Sequence, residues 1–158
     1  MKYRNGFVTN SSSSNYIIAY KKDSISVDEE TKKKYPWVGI LAEGLIDMII
    51  SADGAYETEE ADVLTDREDL EHYIRERYGE WRSGRYGSGS RESIESILDR
   101  LGKDDPEQRK LCDMMLAKIE EGYHIMDKDV GYSDETLTGV IEAIADGENI
   151  IMLYQCEA

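Results

Sequence analysis

The residues of this chain best suited to chemistry fall into small sets. Glu68, His72 and Glu76 stand at i, i+4 and i+8, on one face of a helix. Two carboxylates and an imidazole so placed would hold a divalent cation if a further ligand arrived from elsewhere. A solvated helix face produces the same spacing, so no metal is expected there. His124 precedes Asp127 and Asp129. An imidazole oriented by a carboxylate serves as a general base, yet it needs a nucleophile within hydrogen-bond reach, and the sequence names none. The chain has no His-Glu-x-x-His string, no Cys-x-x-Cys pair and no Gly-Lys-Ser/Thr ending of a phosphate loop. Neither a catalytic residue nor a cofactor is expected.

Two other sets suit binding. Residues 75–91, RERYGEWRSGRYGSGSR, interleave arginines with Tyr78, Trp81 and Tyr86. Such a mixture stacks on bases while pairing phosphates, and it is also the composition of protein-interface hot spots. Arg77, Tyr78, Trp81, Arg82, Arg85 and Tyr86 are the expected partner-binding residues, on an exposed loop around 81–90. The second set is the run Asn10, Ser11, Ser12, Ser13, Ser14 and Asn15, whose short polar side chains bond nearby backbone and favour a turn. It is a candidate anion or partner loop, with Arg4, Lys21 and Lys22 close in sequence.

Charge ranks the partners. Among 158 residues, 34 acids against 19 bases give a net charge of −15. Residues 1–22 are nevertheless basic, and acid concentrates at 53–62 and 127–157. The far field of such a molecule slows approach to nucleic acid and favours a protein with a basic surface. Direct nucleic-acid binding is not expected. The longest mainly apolar stretch, Trp37 to Ile50, is broken by Glu43 and Asp47 and falls short of the ~20 residues of a membrane span. The basic N-terminus lacks the apolar core of a secretory signal, so a cytoplasmic product is expected. Cys112 and Cys156 have no paired spacing and read as free thiols.

The elements that must position these residues are legible from periodicity. Tyr16–Tyr20 is short, β-branched and aromatic and reads as a strand, with Tyr3–Val8 as a weaker partner. Trp37, Ile40, Leu41, Gly44, Leu45, Met48 and Ile49 recur at helical spacing, widened by Val38, Ile46 and Ile50, so 37–50 is the expected buried core helix. Thr65-Asp66-Arg67-Glu68 has the pattern of a capping box ahead of Leu70, Tyr73, Ile74 and Tyr78. Ser90 is the expected cap of a helix carrying Ile94, Ile97, Leu98 and Leu101, ended by Gly102. Asp105-Pro106 opens another with Leu111, Met114, Met115 and Ile119, closed by Gly122. Tyr123–Val130 and Ile150–Gln155 read as strands on either side of a helix capped by Ser133. A strand, helix and strand in that order predict a parallel pair, and the unbroken apolar run 150–154 places the last strand centrally. The expected fold is one α+β or α/β domain over 1–158, with a small mixed sheet of three or four strands, about five helices and a C-terminal β-α-β unit.

The stretch RNGFVTNSSSSNYII resembles an N-terminal signature, approximately Arg-x-Gly-Phe-Val-Ser-Asn-Ser-Ser-Ser-Ser-Ser-Phe, of small uncharacterised bacteriophage and bacterial proteins. The match covers about the first eighteen residues, with Thr9, Asn15 and Tyr16 as conservative departures. The resemblance implies phage or prophage origin and no particular activity. The expected function is that of a non-enzymatic acidic accessory protein, phage or prophage encoded, that binds and inhibits a host protein such as a nucleic-acid-handling or defence factor. The alternative is a nucleotide- or phosphate-binding protein or enzyme that uses the Ser11–Ser14 loop.

Overall fold

The computed structural model describes residues 13–21, 29–52, 61–80, 92–131, 135–145 and 149–157. In chain order the elements are β1 (Ser13–Tyr20), α1 (Glu29–Lys34), α2 (Pro36–Ser51), β2 (Asp62–Leu64), α3 (Arg67–Tyr78), α4 (Ile94–Asp104), α5 (Pro106–Glu120), β3 (His124–Gly131), α6 (Glu135–Ile144) and β4 (Ile150–Glu157). The expected α+β architecture forms, with one helix, α1, and one strand, β2, that the sequence reading did not place. The stretch Tyr3–Val8 lies outside the described residues. Among the described residues, no helix is long and apolar enough to cross a membrane.

The sheet runs β2-β3-β1-β4, and every hydrogen-bonded pair is antiparallel. This corrects three expectations. Among the described residues the sheet is antiparallel rather than mixed. β3 and β4 do not pair with each other, because β1 lies between them and bonds to both. Among the described residues β4 is an edge strand rather than the central one. Its unbroken apolar run reports cover on both faces, a property that an edge strand under two helical layers shares with a central strand.

Each face of the sheet has its own core. Ile17, Ala19 and Ile125 pack with Leu70 and Ile74 of α3, Ile97 and Leu101 of α4, and Leu111 and Met115 of α5. Tyr16, Ile18, Tyr20, Met126 and Val130 pack on the other side with Ile46 and Ile49 of α2 and Ile141 of α6. Strand alternation does the sorting, which is why YIIAY is apolar throughout. A register shift opposite Ile17/Ile18 lets both Leu153 and Tyr154 face the α3–α5 layer, which strict alternation forbids.

Of the expected apolar stripe of α2, the side chains of Trp37, Val38, Ile40 and Leu41 lie outside the described residues, and the rest divides. Ile46 and Ile49 enter the core and Leu45 and Ile50 are half-buried, but Gly44 and Met48 are exposed. Within 44–50 the side bearing Ile46 and Ile49 meets the sheet, and the side bearing Gly44 and Met48 is turned outward.

Local chemistry sets the helix ends. Asp105 caps α5 by accepting from the Gln108 N–H, with Pro106 in the first turn. Gly122 closes it at φ 88°, a left-handed conformation that suits glycine. α3 is capped one residue later than expected: the Asp66 carboxylate accepts from the Asp69 N–H, while the Asp69 carboxylate reaches back to the N–H and hydroxyl of Thr65. The reciprocal capping logic survives with different residues. Ser93, not Ser90, caps α4, which runs through Gly102 to Asp104.

Candidate functional site

The described residues that gather the most buried polar chemistry lie where α3 crosses β3 and β1. On β1, Asn15 sits opposite Asp129, and Asp127 is two residues along β3 on the same face. The Asn15 amide nitrogen donates to Asp127 Oδ1 at 2.7 Å and to Asp129 Oδ1 at 2.8 Å. Tyr73 and Arg77, one helical turn apart on α3, both point at Asp127. The Tyr73 hydroxyl donates to Asp127 Oδ2 at 2.6 Å, and Arg77 Nη1 donates to the same oxygen at 2.7 Å. The guanidinium also lies over the Tyr73 ring, 5.3 Å from its centre. One residue on, the Tyr78 hydroxyl donates to Gln108 Oε1 at 2.6 Å and ties α3 to α5.

The electrostatics follow from burial. The Tyr73 phenol is held well above its ordinary 10.0, first by desolvation and then by the Asp127 charge. Burial opposes the charge on Arg77, but Tyr73 and Asp127 outweigh it and keep the guanidinium firmly protonated. Burial likewise raises the Tyr78 phenol, pushes Tyr154 up to about 12 with help from Cys156, and pushes the Cys112 thiol up to about 12. Asp127 accepts from three donors, Asn15 on Oδ1 and Tyr73 and Arg77 on Oδ2, and so anchors side chains of β1 and α3 to β3.

A second set of contacts lies just beyond. Glu80 and Glu92, which bracket the arginine-rich stretch, are joined by a hydrogen bond from the Glu80 N–H to Glu92 Oε2 at 3.2 Å. Arg100 Nη2 bridges the carbonyl of Tyr78 at 2.7 Å and Glu92 Oε2 at 2.9 Å. Burial works against ionised Glu92, but Arg100, the Glu80 N–H and the Ser96 hydroxyl hold its carboxyl below the usual 4.5. Glu80 and Glu92, the described residues on either side of 81–91, are therefore held together.

The expected site residues divide accordingly. Arg77 and Tyr78 are engaged inside the fold, while Trp81, Arg82, Arg85 and Tyr86 lie outside the described residues. So do Asn10, Ser11 and Ser12. Ser13, Ser14 and Asn15, expected in a polar turn, belong instead to β1, where their backbone pairs with Gly131, Val130 and Asp129. That half of the run gives its backbone to the ladder, not to an anion. His124 is not brought to Asp127: alternation sends it to the opposite face, edge-on to the Tyr20 ring at 5.6 Å. His72 meets Glu76 at 3.4 Å on the exposed side of α3, where Glu68 is also exposed.

Sequence reasoning missed Tyr73 and the inward role of Asn15. The available signals were an amide at the head of an apolar strand and a tyrosine four residues before an arginine. It also missed Lys128, buried on the opposite face, whose ammonium donates to the Ala52 carbonyl at the end of α2. A cation there satisfies an orphan carbonyl and complements the helix dipole. No protein-family profile, curated protein or solved structure matches the chain.

Proposed function

We propose that this chain is a non-enzymatic binding module whose contact segment is the arginine- and aromatic-rich stretch 81–91, directed at a protein partner. The observation that carries the reading is the clamped base of that stretch, where Glu80 bonds Glu92 and Arg100 holds both Glu92 and the Tyr78 carbonyl. Arg77, tied to Asp127, fixes the helix turn that leads into it. Holding the ends of a binding segment lowers the ordering cost of docking its Trp, Tyr and Arg side chains. Trp81, Arg82, Arg85 and Tyr86 are the contact residues in this reading, and Arg77 and Tyr78 are supports. The net charge of −15 favours a partner with a basic surface, through long-range steering. Phage or prophage origin, and inhibition of a host factor as the consequence of binding, rest on the N-terminal resemblance.

The test is capture from nuclease-treated bacterial lysate with the tagged protein, beside an Arg82→Ala/Arg85→Ala control of equal thermal stability. One protein enriched by the parent chain and lost with the control is the expected result. Equal enrichment by both chains moves the contact elsewhere. Stabilisation by a nucleotide with no protein captured overturns the reading; a ligand at 100 times its Kd adds about 2.7 kcal/mol to the folded state.

A further inference from the structure

We draw no further inference here: the strongest candidate, the acidic side-chain cluster of Asp127 and Asp129 where α3 crosses β3 and β1, belongs to the network already described, in which the Asn15 amide nitrogen takes the place between the two carboxylates that a cation would need, and nothing among the described residues points to a ligand there.

Discussion

Arg77 Nη1 lies 2.7 Å from Asp127 Oδ2, joining the last turn of α3 to β3 through side chains that are only 18% and 8% exposed. The pair is not isolated, because Tyr73 and Asn15 complete the coordination of the same carboxylate. Removing one partner of a buried pair leaves an uncompensated charge and costs about 3–5 kcal/mol. Asp127→Ala should therefore fall in that range and exceed Arg77→Ala, since it orphans three donors rather than one acceptor. Urea denaturation of the two variants measures the difference. Equal and small losses would mean that the network contributes little.

Asn15 keeps two carboxylates together by donating one amide hydrogen to each, and its Oδ1 has no hydrogen-bond partner among the described residues. Asn15→Asp replaces the shared donor with a third acid. Burial and two like charges raise the pKa of the introduced carboxyl in the folded state. A raised folded pKa means that the folded state binds the extra proton more readily, so stability relative to the parent falls as pH rises. The variant should be strongly destabilised at pH 7, and its deficit against the parent should shrink toward pH 5. A deficit independent of pH would place Asn15 outside the reach of Asp127 and Asp129.

Acid and alkali should act on different groups. Glu92 and Asp69 have lowered folded pKa values, the latter through the N–H and hydroxyl of Thr65, so their contribution is present above the unfolded pKa and is lost as pH falls through the folded one. Glu92→Gln should flatten the acid limb of a stability profile below about pH 4.5. Tyr73, Tyr78 and Tyr154 have raised folded values, so their contribution holds below pH 10 and is lost in stronger alkali. Tyrosinate absorbance should rise in two phases, the later one coincident with loss of circular dichroism. A single phase completed before unfolding would contradict the buried network.

The thiols report the same burial. Cys112 is buried on α5, with its thiol pushed up to about 12, and Cys156 on β4 is half-buried. Thiolate is the reactive form, so an alkylating reagent at pH 8 should modify Cys156 first and Cys112 only on unfolding. Mass spectrometry of briefly labelled protein, digested and mapped, gives the order. Equal labelling of the two would mean that α5 opens readily.

Two glycines should respond with opposite signs. Gly122→Ala forces a side chain into φ 88° and should cost about 1–2 kcal/mol. Gly102 lies inside α4, and a Cβ there would meet the Arg109 side chain at an ordinary 3.8 Å. Gly102→Ala should stabilise by about 0.5–1 kcal/mol through helix propensity. Thermal midpoints of the pair, moving in opposite directions, are the check.

What could be read along the chain was whatever a few neighbouring residues decide. Asp105-Pro106 and Gly122 bound α5 because capping and left-handed turns are local chemistry, and the apolar periods of α3 and α4 named the residues that are buried, while in α5 Leu111 and Met115 are buried and Met114 and Ile119 half-buried. The α3 cap was misplaced by one residue because Thr65 and Asp66 each have an acid three positions on, and only geometry chooses between them. The helical period of α2 was legible, but not which part of the stripe meets the sheet.

The sequence by itself determined the α+β class, the types of the longer elements and the run of arginines and aromatics, but not α1 or β2. Only the tertiary structure decided that β1 lies between β3 and β4, since strand order depends on pairings more than a hundred residues apart that no local pattern encodes. The same holds for the candidate site. Arg77 read as an exposed binding residue because its partner Asp127 is fifty residues away, and a charged side chain turns inward only where a distant one waits for it. His124 and Asp127, near in sequence, were sent to opposite faces by strand alternation, while Asn15, remote from both acids, was set between them.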